Sequence, residues 1–427
     1  MDRAEAAGYK AQFICSGLWN GGKTLANIEA DELTGIYPHI AAIVPTLDPD
    51  IDAKARSVSV MFADDMPPRV ALHNPNTGCT AMPIGWRDDG FGEGTPPFVR
   101  LAAGALDERA WPIGDANASD PRIMMITPFD TLVESAFEAK AFGGKTSAVL
   151  VVHKGRIVQE RYKPGHDMHT AQRTWSVAKS MTATYIGYVS QKGHTFPESI
   201  IKAWDKPGDP RLGITLDDLL RMVSGLTSDT AGNRTDAVYL GGGAVRQWAT
   251  QWPLLHTPGD KFRYANNDSL LAAMAARDAA PDVHPHDMFD ALGMTRTWAE
   301  TDWQGDYILS SQVWTTARDM ARMGQLYLNN GLWDGKRLLP EGWRDYVSSP
   351  INVQPEGSPF GYGASFWLLN KSEGVPSDAF AALGNRGQHL VIIPSRDLLI
   401  VRRGYDSASD QFDIARFTAA VVEAVGE

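Results

Sequence analysis

The amino-acid sequence predicts an α+β fold, in which an antiparallel sheet carries terminal helices on one face and a helical subdomain beside it. The order of patterns from residue 128 onward indicates this: a helix, two strands, a long mainly helical stretch, three strands and a last helix. The first 120 residues are rich in Pro, Gly and Asp and predict a small β-containing extension. Hydrophobic residues make up 43% and charged residues 21% of the chain, which is typical of a folded protein.

Three short runs in the extension are predicted to be strands, at residues 9–15, 57–63 and 69–73. The second run alternates polar and apolar residues, which is typical of a half-buried strand. Residues 111–121 have the composition of a linker, and we place a domain boundary there. The sequence therefore divides into an extension, residues 1–120, and a main domain, residues 121–427, whose helical subdomain covers about 176–350.

The helices and strands of the main domain are predicted from the spacing of apolar residues, which has a helical period in some segments and a strand period in others. Residues 153–155, His-Lys-Gly, form a predicted hairpin turn between the first two strands. The predicted helices are 128–139 and 410–425, with a mainly helical block at 176–348, and the predicted strands are 147–152, 156–162, 364–369, 388–393 and 398–402.

Composition excludes several classes of protein. The 427 residues include 40 Lys+Arg and 51 Asp+Glu, a net charge of −11 without a basic block, which argues against nucleic acid or an anionic membrane as partner. Two cysteines exclude a disulfide-rich scaffold, a cysteine-based zinc module and an iron–sulfur ligand set. No apolar run reaches eighteen residues, so no membrane span is predicted.

Ser176 and Lys179 are the first candidate pair for chemistry. A spacing of three residues puts both side chains on one face of a helix that begins at the serine. The helix start stabilises negative charge on the serine oxygen, and a lysine kept neutral by burial can accept the serine proton. A helix cap is the alternative role for Ser176. A second match to the spacing, Ser199 with Lys202, has no apolar helix behind it and is interpreted as a surface turn.

Two further loops carry polar groups that suit the same chemistry. Tyr264 beside a lysine loses its proton more readily, and Asn266 offers an amide to orient a substrate carbonyl or Lys179. The alternative is a tyrosine packed under a loop with a helix cap after it. The glycines of Gly384-Asn-Arg-Gly-Gln388 allow close approach to a ligand, although a plain hairpin turn is the more common explanation for such a segment taken alone.

Together and in this order, these three pieces resemble the motifs of the serine β-lactamase and penicillin-recognising superfamily. Ser176-Val-Ala-Lys179 resembles its Ser-x-x-Lys, and Tyr264-Ala-Asn266 resembles the Tyr-x-Asn of class C β-lactamases. Asn385-Arg-Gly387 falls where the family has Lys-Thr-Gly. Residues 215–226, 309–322 and 361–363 are also similar to family segments, so the resemblance covers about 128–427. Its closest branch is that of 6-aminohexanoate-dimer hydrolases and related carboxylesterases.

The resemblance implies a serine hydrolase of the β-lactamase/transpeptidase-like fold that cleaves a small amide or ester through an acyl-enzyme. Ser176 is then the nucleophile, Lys179 and Tyr264 share the base role, and Asn266 contacts the substrate. The backbone N–H groups of Ser176 and Gln388 form the oxyanion hole, with no metal or organic cofactor.

The implied substrate site at the third motif consists of Asn385, Arg386, Gly387 and Gln388. Asn385 lacks the charge with which the family lysine grips a β-lactam, which favours another acyl substrate. A β-lactamase or D-alanyl-D-alanine carboxypeptidase is the alternative, and a noncatalytic ligand-binding relative is the alternative from another class. The oligomeric state stays open.

Two competing signals have structural alternatives. Residues 17–24, Gly-Leu-Trp-Asn-Gly-Gly-Lys-Thr, match the phosphate-binding Gly-x-x-x-x-Gly-Lys-Thr loop, but the extension shows no alternating strands and helices, and a Gly-rich turn fits better. The pairs His166/His169 and His284/His286 have no evident third ligand, and we expect solvated loop histidines there.

Cys15 and Cys79 both lie in the extension, 64 residues apart, and are a candidate disulfide. The resemblance strengthens this hypothesis, because members of the superfamily are commonly exported. We therefore expect a periplasmic or secreted protein, with two free thiols in a cytoplasmic protein as the alternative. The first residues lack the apolar core of a secretory signal, which fits a cytosolic protein and a mature exported one alike.

Overall fold

A computed structural model of the chain describes residues 1–87, 98, 100–117, 128–227 and 235–426. In the extension, three helices precede a four-stranded antiparallel sheet whose strands lie in sequence order. The bounds are α1 Asp2–Trp19, α2 Leu25–Asp31, α3 Pro38–Ala41, β1 Pro49–Asp52, β2 Ser57–Val60, β3 Arg69–Asn74 and β4 Gly78–Ala81.

The extension corrects one predicted strand. Residues 9–15 belong to helix α1 and not to a strand, whereas the strands predicted at 57–63 and 69–73 are confirmed as β2 and β3. Four alanines among the first eleven residues favour helix. Helix α1 is buried on nearly every side, so its polar residues do not mark out a solvent face with helical periodicity.

The main domain begins, within the described residues, at helix α4 and ends at helix α14. Its elements as far as the end of the helical block are α4 Pro128–Ser135, α5 Ala139–Phe142, β5 Thr146–His153, β6 Arg156–Tyr162, β7 Gln172–Arg173, α6 Val177–Gln191, α7 Leu216–Leu220, α8 Asp236–Tyr239, α9 Val245–Ala249, α10 Asn266–Ala279, α11 Pro285–Ala291, β8 Trp298–Ala299, β9 Val313–Thr315, α12 Ala317–Leu328, β10 Leu332–Trp333, β11 Lys336–Arg337 and α13 Trp343–Ser348. The remaining elements are β12 Gly361–Tyr362, β13 Trp367–Leu368, β14 Phe380–Gly384, β15 Gln388–Ile393, β16 Leu398–Gly404 and α14 Ile414–Val425.

Seven of these strands form one antiparallel sheet in the order β12-β13-β14-β15-β16-β5-β6. The predicted hairpin β5–β6 and the predicted strands β15 and β16 are confirmed. Strand β14 was not predicted, because its sequence Phe-Ala-Ala-Leu-Gly is rich in residues that strands disfavour. The strand predicted at 364–369 is confirmed only at β13, and the last helix begins at Ile414, four residues later than predicted.

The sheet is buried on both faces, since alternate residues of β5 enter two different hydrophobic clusters. Val149 and Val151 pack with Phe129 of α4 and Phe417 of α14, so the terminal helices cover one face. Leu150 belongs to the larger cluster on the other face, which includes the buried residues of α6 and α12. This arrangement confirms the predicted α+β fold.

Helix α1 packs into the same large cluster as α6. Its residue Phe13 contacts the rings of Trp175 and Trp314, with centroid separations of 6.1 and 6.2 Å. Cys15 and Cys79 are joined by a disulfide, which ties α1 to β4. The extension thus shares its core with the main domain, while the boundary predicted at residue 120 lies outside the described residues.

The phosphate-loop alternative is not supported by the structure. Gly17 lies inside helix α1, packed against the side chain of Ile28, so residues 17–24 do not form a loop that could surround a phosphate. Lys23 is buried and donates to Glu32 and to the Tyr405 hydroxyl. Within the described ranges, no helix is long and apolar enough to cross a membrane.

Candidate active site

Ser176 lies at the first turn of α6, directly after a sharp bend of the main chain. Trp175 before it has a φ of +49°, in the left-handed region that bulky residues rarely adopt. The N–H of Lys179 donates to the Ser176 carbonyl at 3.0 Å, so the helix begins at the serine itself. Ser176 is half-buried, whereas the helix residues that follow it are buried. The bend therefore holds the Ser176 hydroxyl at the rim of a buried helix.

Lys179 is 1% exposed, and its amine has three oxygen neighbours. Nζ lies 3.2 Å from Ser176 Oγ, 2.6 Å from Asn266 Oδ1 and 2.8 Å from the carbonyl oxygen of Ser310. The amide and carbonyl oxygens can only accept hydrogen bonds. The two hydrogens of a neutral amine satisfy them, and its lone pair is then left for the Ser176 hydroxyl.

The surroundings of Lys179 favour this neutral form. Burial and, to a smaller extent, the positive charge of Arg173 lower the pKa of Lys179 to about 7, while the acidic group of Asp268 opposes the change. A lysine in water stays protonated far above neutral pH. The geometry and the electrostatics therefore both suit a lysine that accepts a proton from Ser176.

Tyr264 and Asn266 come to the same place from the start of helix α10. Asn266 accepts from Lys179 and donates through Nδ2 to Thr235 Oγ1 at 3.1 Å, which fixes its amide orientation. The Tyr264 ring lies 5.2 Å from Lys179 Nζ, and its hydroxyl interacts with the Ser176 side chain. Burial raises the pKa of Tyr264 to about 12, so this hydroxyl keeps its proton at neutral pH.

Strand β14 lies against the first turn of helix α6 at Gly384. A Cβ on Gly384 would lie 2.3 Å from the Thr174 carbonyl oxygen and 3.1 Å from the Val177 nitrogen, so only glycine allows this approach. Residues 385–387 form the hairpin turn between β14 and β15, as the alternative interpretation proposed. The close contact thus falls just before the Asn385-Arg-Gly387 position predicted for Lys-Thr-Gly.

Arg386 does not replace the missing lysine charge. Its guanidinium donates to the carbonyl oxygens of Asp31 at 2.8 Å and Thr34 at 2.7 Å, both in the extension. Its predicted contact with substrate is therefore wrong, because its hydrogen bonds are directed at the extension.

The neighbours of Arg386 are placed as follows. A Cβ on Gly387 would lie 1.7 Å from Arg402 Nη1, so this glycine makes room for a buried arginine. The Gln388 side chain donates to the Gly404 carbonyl and accepts from Arg403, and is fully used inside the sheet. Asn385 is exposed.

Three contributors to this site were not assigned a role from sequence. They are the carbonyl of Ser310, the guanidinium of Arg173, and Gly384 as the point of close approach. Ser310 lies in residues 309–322, which resemble a family segment, so the sequence contained a partial indication of its role. Arg173 belongs to no motif that the sequence analysis identified, and its effect on the pKa of Lys179 is seen only in the folded chain.

Three of these four histidines, His166, His284 and His286, are structural and not solvated, contrary to expectation, whereas the His169 side chain is 38% exposed, as expected. His284 Nδ1 lies 2.9 Å from the Tyr307 hydroxyl, and His286 accepts from the N–H of Ala299 at 3.2 Å. His166 contacts the Tyr405 hydroxyl at 3.0 Å.

The fourth histidine of these pairs, His169, lies near two acidic residues. They are Asp107 and Asp115, a grouping with metal-ligand geometry. Arg296 pairs with Asp107 at 2.6 Å, and Arg322 pairs with Asp115 at 2.7 Å. Arginines thus already neutralise both carboxylates.

Comparisons with known proteins agree with this geometry. A 6-aminohexanoate-dimer hydrolase from Paenarthrobacter ureafaciens is 26% identical over 297 residues, which cover 60% of this chain and 72% of that protein. A Bacillus anthracis structure named after the same hydrolase has a TM-score of 0.55 at 23% identity and covers 77% of this chain and 86% of its own.

A penicillin binding protein from Bacillus halodurans has a TM-score of 0.53 at 15% identity, covering 69% of this chain and all of its own. These two structural matches show a shared fold. The Beta-lactamase family profile matches residues 133–413, well over half of the chain. The family resemblance and the predicted fold are thus confirmed: the chain belongs to the beta-lactamase family and is a serine hydrolase.

Proposed function

We propose that this hydrolase cleaves a linear amide bond through an acyl-enzyme formed on Ser176. The observation that carries the proposal is the set of contacts around Lys179 Nζ, whose two hydrogens are taken by Asn266 and Ser310. In the neutral amine the remaining lone pair is then left for the Ser176 hydroxyl, whose Oγ lies 3.2 Å from Nζ. A serine activated in this way is a nucleophile for carbonyl carbon.

In the first half of the reaction, Ser176 Oγ attacks the carbonyl carbon and its proton passes to Lys179 Nζ. Tyr264, which keeps its proton at neutral pH, donates to the leaving nitrogen as the C–N bond breaks, and recovers a proton from Lys179. Water then attacks the ester carbon and gives a proton to Lys179, the bond from that carbon to Ser176 Oγ breaks as Oγ takes the proton back, and the carboxylic acid leaves.

The developing oxyanion needs N–H donors beside Ser176. One is the N–H of Ser176 at the start of α6. For the second we propose the N–H of Asn385 in place of Gln388, because Gly384 is the strand residue that touches the first turn of α6. Asn385 follows it directly at the exposed end of β14, whereas Gln388 lies in β15 across from Gly384.

Two observations favour a linear amide. A relative at 26% identity is a 6-aminohexanoate-dimer hydrolase. In addition, the third motif offers no cation to grip the carboxylate of a β-lactam, since Arg386 is bonded to the extension. An ester follows the same route with an easier leaving group, so esterase activity accompanies the amidase activity.

The disulfide Cys15–Cys79 supports a location outside the cytoplasm. Structural disulfides form and persist in oxidising compartments and are rare in the cytosol. Both cysteines are fully buried in the core shared by the extension and the main domain. We therefore place the enzyme in the periplasm or outside the cell.

The test compares initial rates on a linear 6-aminohexanoate dimer, a p-nitrophenyl ester panel and nitrocefin. We expect turnover of the amide and the esters, with Ser176→Ala folded but inactive and a fluorophosphonate bound to Ser176 in the wild type. Fast nitrocefin turnover with an inert amide would favour the β-lactamase alternative. No covalent adduct with any reagent would point to a noncatalytic binding protein.

A further inference from the structure

We infer that helix α1 of the extension is a positioning element of the active site. The positioning residues are Phe13 of this helix and Arg173 of strand β7. They act on Ser176 through Trp175, and Arg173 acts on Lys179 through Ser311 and the Ser310 carbonyl. This inference rests on the proposed function, since it concerns the geometry of the proposed nucleophile and base. It assigns the extension a role in the reaction that no motif of the main domain supplies.

The first observation is a stack of three buried side chains. The Arg173 guanidinium carbon lies 3.9 Å from the centroid of the Trp175 ring and 4.9 Å from the centroid of the Phe13 ring. The two rings are 6.1 Å apart. Phe13 and Arg173 are each 2% exposed, so the cation faces both rings without competing water.

The second observation is the strain in the main chain at this stack. Trp175 has a φ of +49°, and a bulky residue stays in that region only when its surroundings hold it there. Its ring contacts Phe13 and also Tyr37, at 6.3 Å between centroids. Both partners belong to the extension, so the extension holds the residue that directs Ser176 toward the substrate.

The third observation connects the stack to Lys179. Arg173 donates through Nη2 to Ser311 Oγ at 2.6 Å and through Nε to the Ser311 carbonyl. The preceding residue, Ser310, provides the carbonyl that accepts from Lys179. The titratable groups acting on Lys179 are Arg173 and Asp268, with opposite effects on its pKa, and burial raises the pKa of Asp268 itself to about 8. One guanidinium thus fixes a hydrogen-bond acceptor of the base and contributes to its electrostatic environment.

Helix α1 is itself anchored on either side of Phe13. Cys15 is bonded to Cys79, and the buried carboxylate of Glu300 accepts from Gln12 Nε2 at 2.9 Å and Ser16 Oγ at 2.6 Å. The disulfide fixes α1 to β4 within the extension, and the hydrogen bonds to Glu300 hold α1 against the main domain. The stack therefore holds Ser176 and Lys179 in a fixed position. This matters because a misplacement of a reacting group by about 1 Å costs on the order of a hundredfold in rate.

The experiment uses the full-length protein with Phe13→Leu, Phe13→Ala, Arg173→Lys and Arg173→Gln. Phe142→Leu is the matched control: Phe142 is a buried phenylalanine that faces the guanidinium of Arg416 at 5.0 Å in the cluster on the other sheet face. For each variant kcat and KM on a p-nitrophenyl ester are measured per folded molecule, with the melting temperature and the pH dependence of kcat/KM.

We expect Phe13→Ala to lose kcat by about tenfold or more with KM little changed, and Phe13→Leu to restore part of it. Phe142→Leu should lower the melting temperature while kcat stays near the wild-type value. Arg173→Gln should move the rising limb of the pH profile upward, because a positive neighbour of Lys179 is gone, and Arg173→Lys should keep the limb in place.

Wild-type kcat in Phe13→Ala, or the same pH limb in Arg173→Gln as in the wild type, would overturn the inference. So would a loss in Phe142→Leu equal to that in Phe13→Ala, since general destabilisation would then explain both. Ser176→Ala is measured alongside. If it is inactive while the Phe13 variants are normal, only this inference fails; if it keeps its activity, the proposed function fails first.

Discussion

At the scale of single residues, Lys179 illustrates how a common side chain becomes a base. Burial removes the water that would stabilise its cation, and this is the largest influence on its pKa. Its hydrogen-bond partners are a carbonyl and an amide oxygen rather than a carboxylate, so nothing in direct contact demands a full positive charge. The lone pair of the neutral Lys179 amine is then left to accept the proton of the Ser176 hydroxyl.

The pH dependence of catalysis follows from this. We predict that kcat/KM rises with pH and levels off above about 7, because only neutral Lys179 accepts the Ser176 proton and its pKa is about 7. The check is a pH profile on an uncharged ester. Lys179→Arg should be inactive at every pH, since arginine stays protonated. A rising limb near the pKa of a free lysine, or an active arginine variant, would contradict a neutral Lys179.

Tyr264 has a different role because its pKa moves the other way. We predict that Tyr264→Phe loses roughly 10²–10⁴-fold in kcat on an amide and much less on a p-nitrophenyl ester, whose leaving group needs no proton. The ring contacts with Tyr362 and Trp367 are kept, so stability should change little.

The check is the amide-to-ester rate ratio of the variant. Tyr362→Phe, which removes a hydroxyl from the neighbouring ring, is the control and should leave this ratio unchanged. An equal loss on both substrates in Tyr264→Phe would show that the hydroxyl does not act on the leaving group.

At the scale of elements, the junction of β14 with α6 decides how closely the strand approaches the nucleophile. We predict that Gly384→Ala lowers kcat by about tenfold or more, because its Cβ would lie 2.3 Å from the Thr174 carbonyl oxygen and push strand and helix apart. Gly213→Ala is the control, since a Cβ there has open space around it. Steady-state kinetics with thermal unfolding of both variants makes the comparison. Normal kinetics in Gly384→Ala would remove this contact from the site.

At the scale of the whole molecule, the sheet separates two hydrophobic clusters, and the extension belongs to the one that contains the active site. Ile14 and Cys15 of α1 are buried in that cluster together with Val177 and Ala178 of α6. The cluster on the other face holds the terminal helices. The extension therefore packs against the helix that carries Ser176, whereas the terminal helices of the main domain pack on the other face of the sheet.

The disulfide should be measurable as a property of the whole molecule. Closing a 64-residue separation stabilises by about 4 kcal/mol in the loop-entropy treatment. We predict no free thiol in denatured, unreduced protein, and a lower melting temperature after reduction. The double variant Cys15→Ser/Cys79→Ser serves as control, because its melting temperature should not respond to reductant. Two titratable thiols in protein freshly purified from an oxidising compartment would refute both the bond and the proposed location.

Local patterns were sufficient where the chain's own periodicity or spacing carried the information. The β5–β6 hairpin, β15, β16 and the pairing of Ser176 with Lys179 on one helix turn depend on neighbours in sequence, and the structure has them as predicted. Helix α1 and strand β14 were not predicted, because their own periodicity does not carry this information. Each is buried among distant segments, so its residues show no polar face, and alanine-rich sequence does not separate a buried helix from a buried strand.

The sequence by itself determined the fold class, through the order of its helix and strand patterns, and the family, through the resemblance of its motifs and their order. Only the tertiary structure decided which side chains meet. It turned Arg386 toward the extension, brought Gly384 against Thr174, and placed Arg173 against the rings of Phe13 and Trp175. Such contacts join residues up to several hundred positions apart, and their directions follow from packing, which no local pattern encodes.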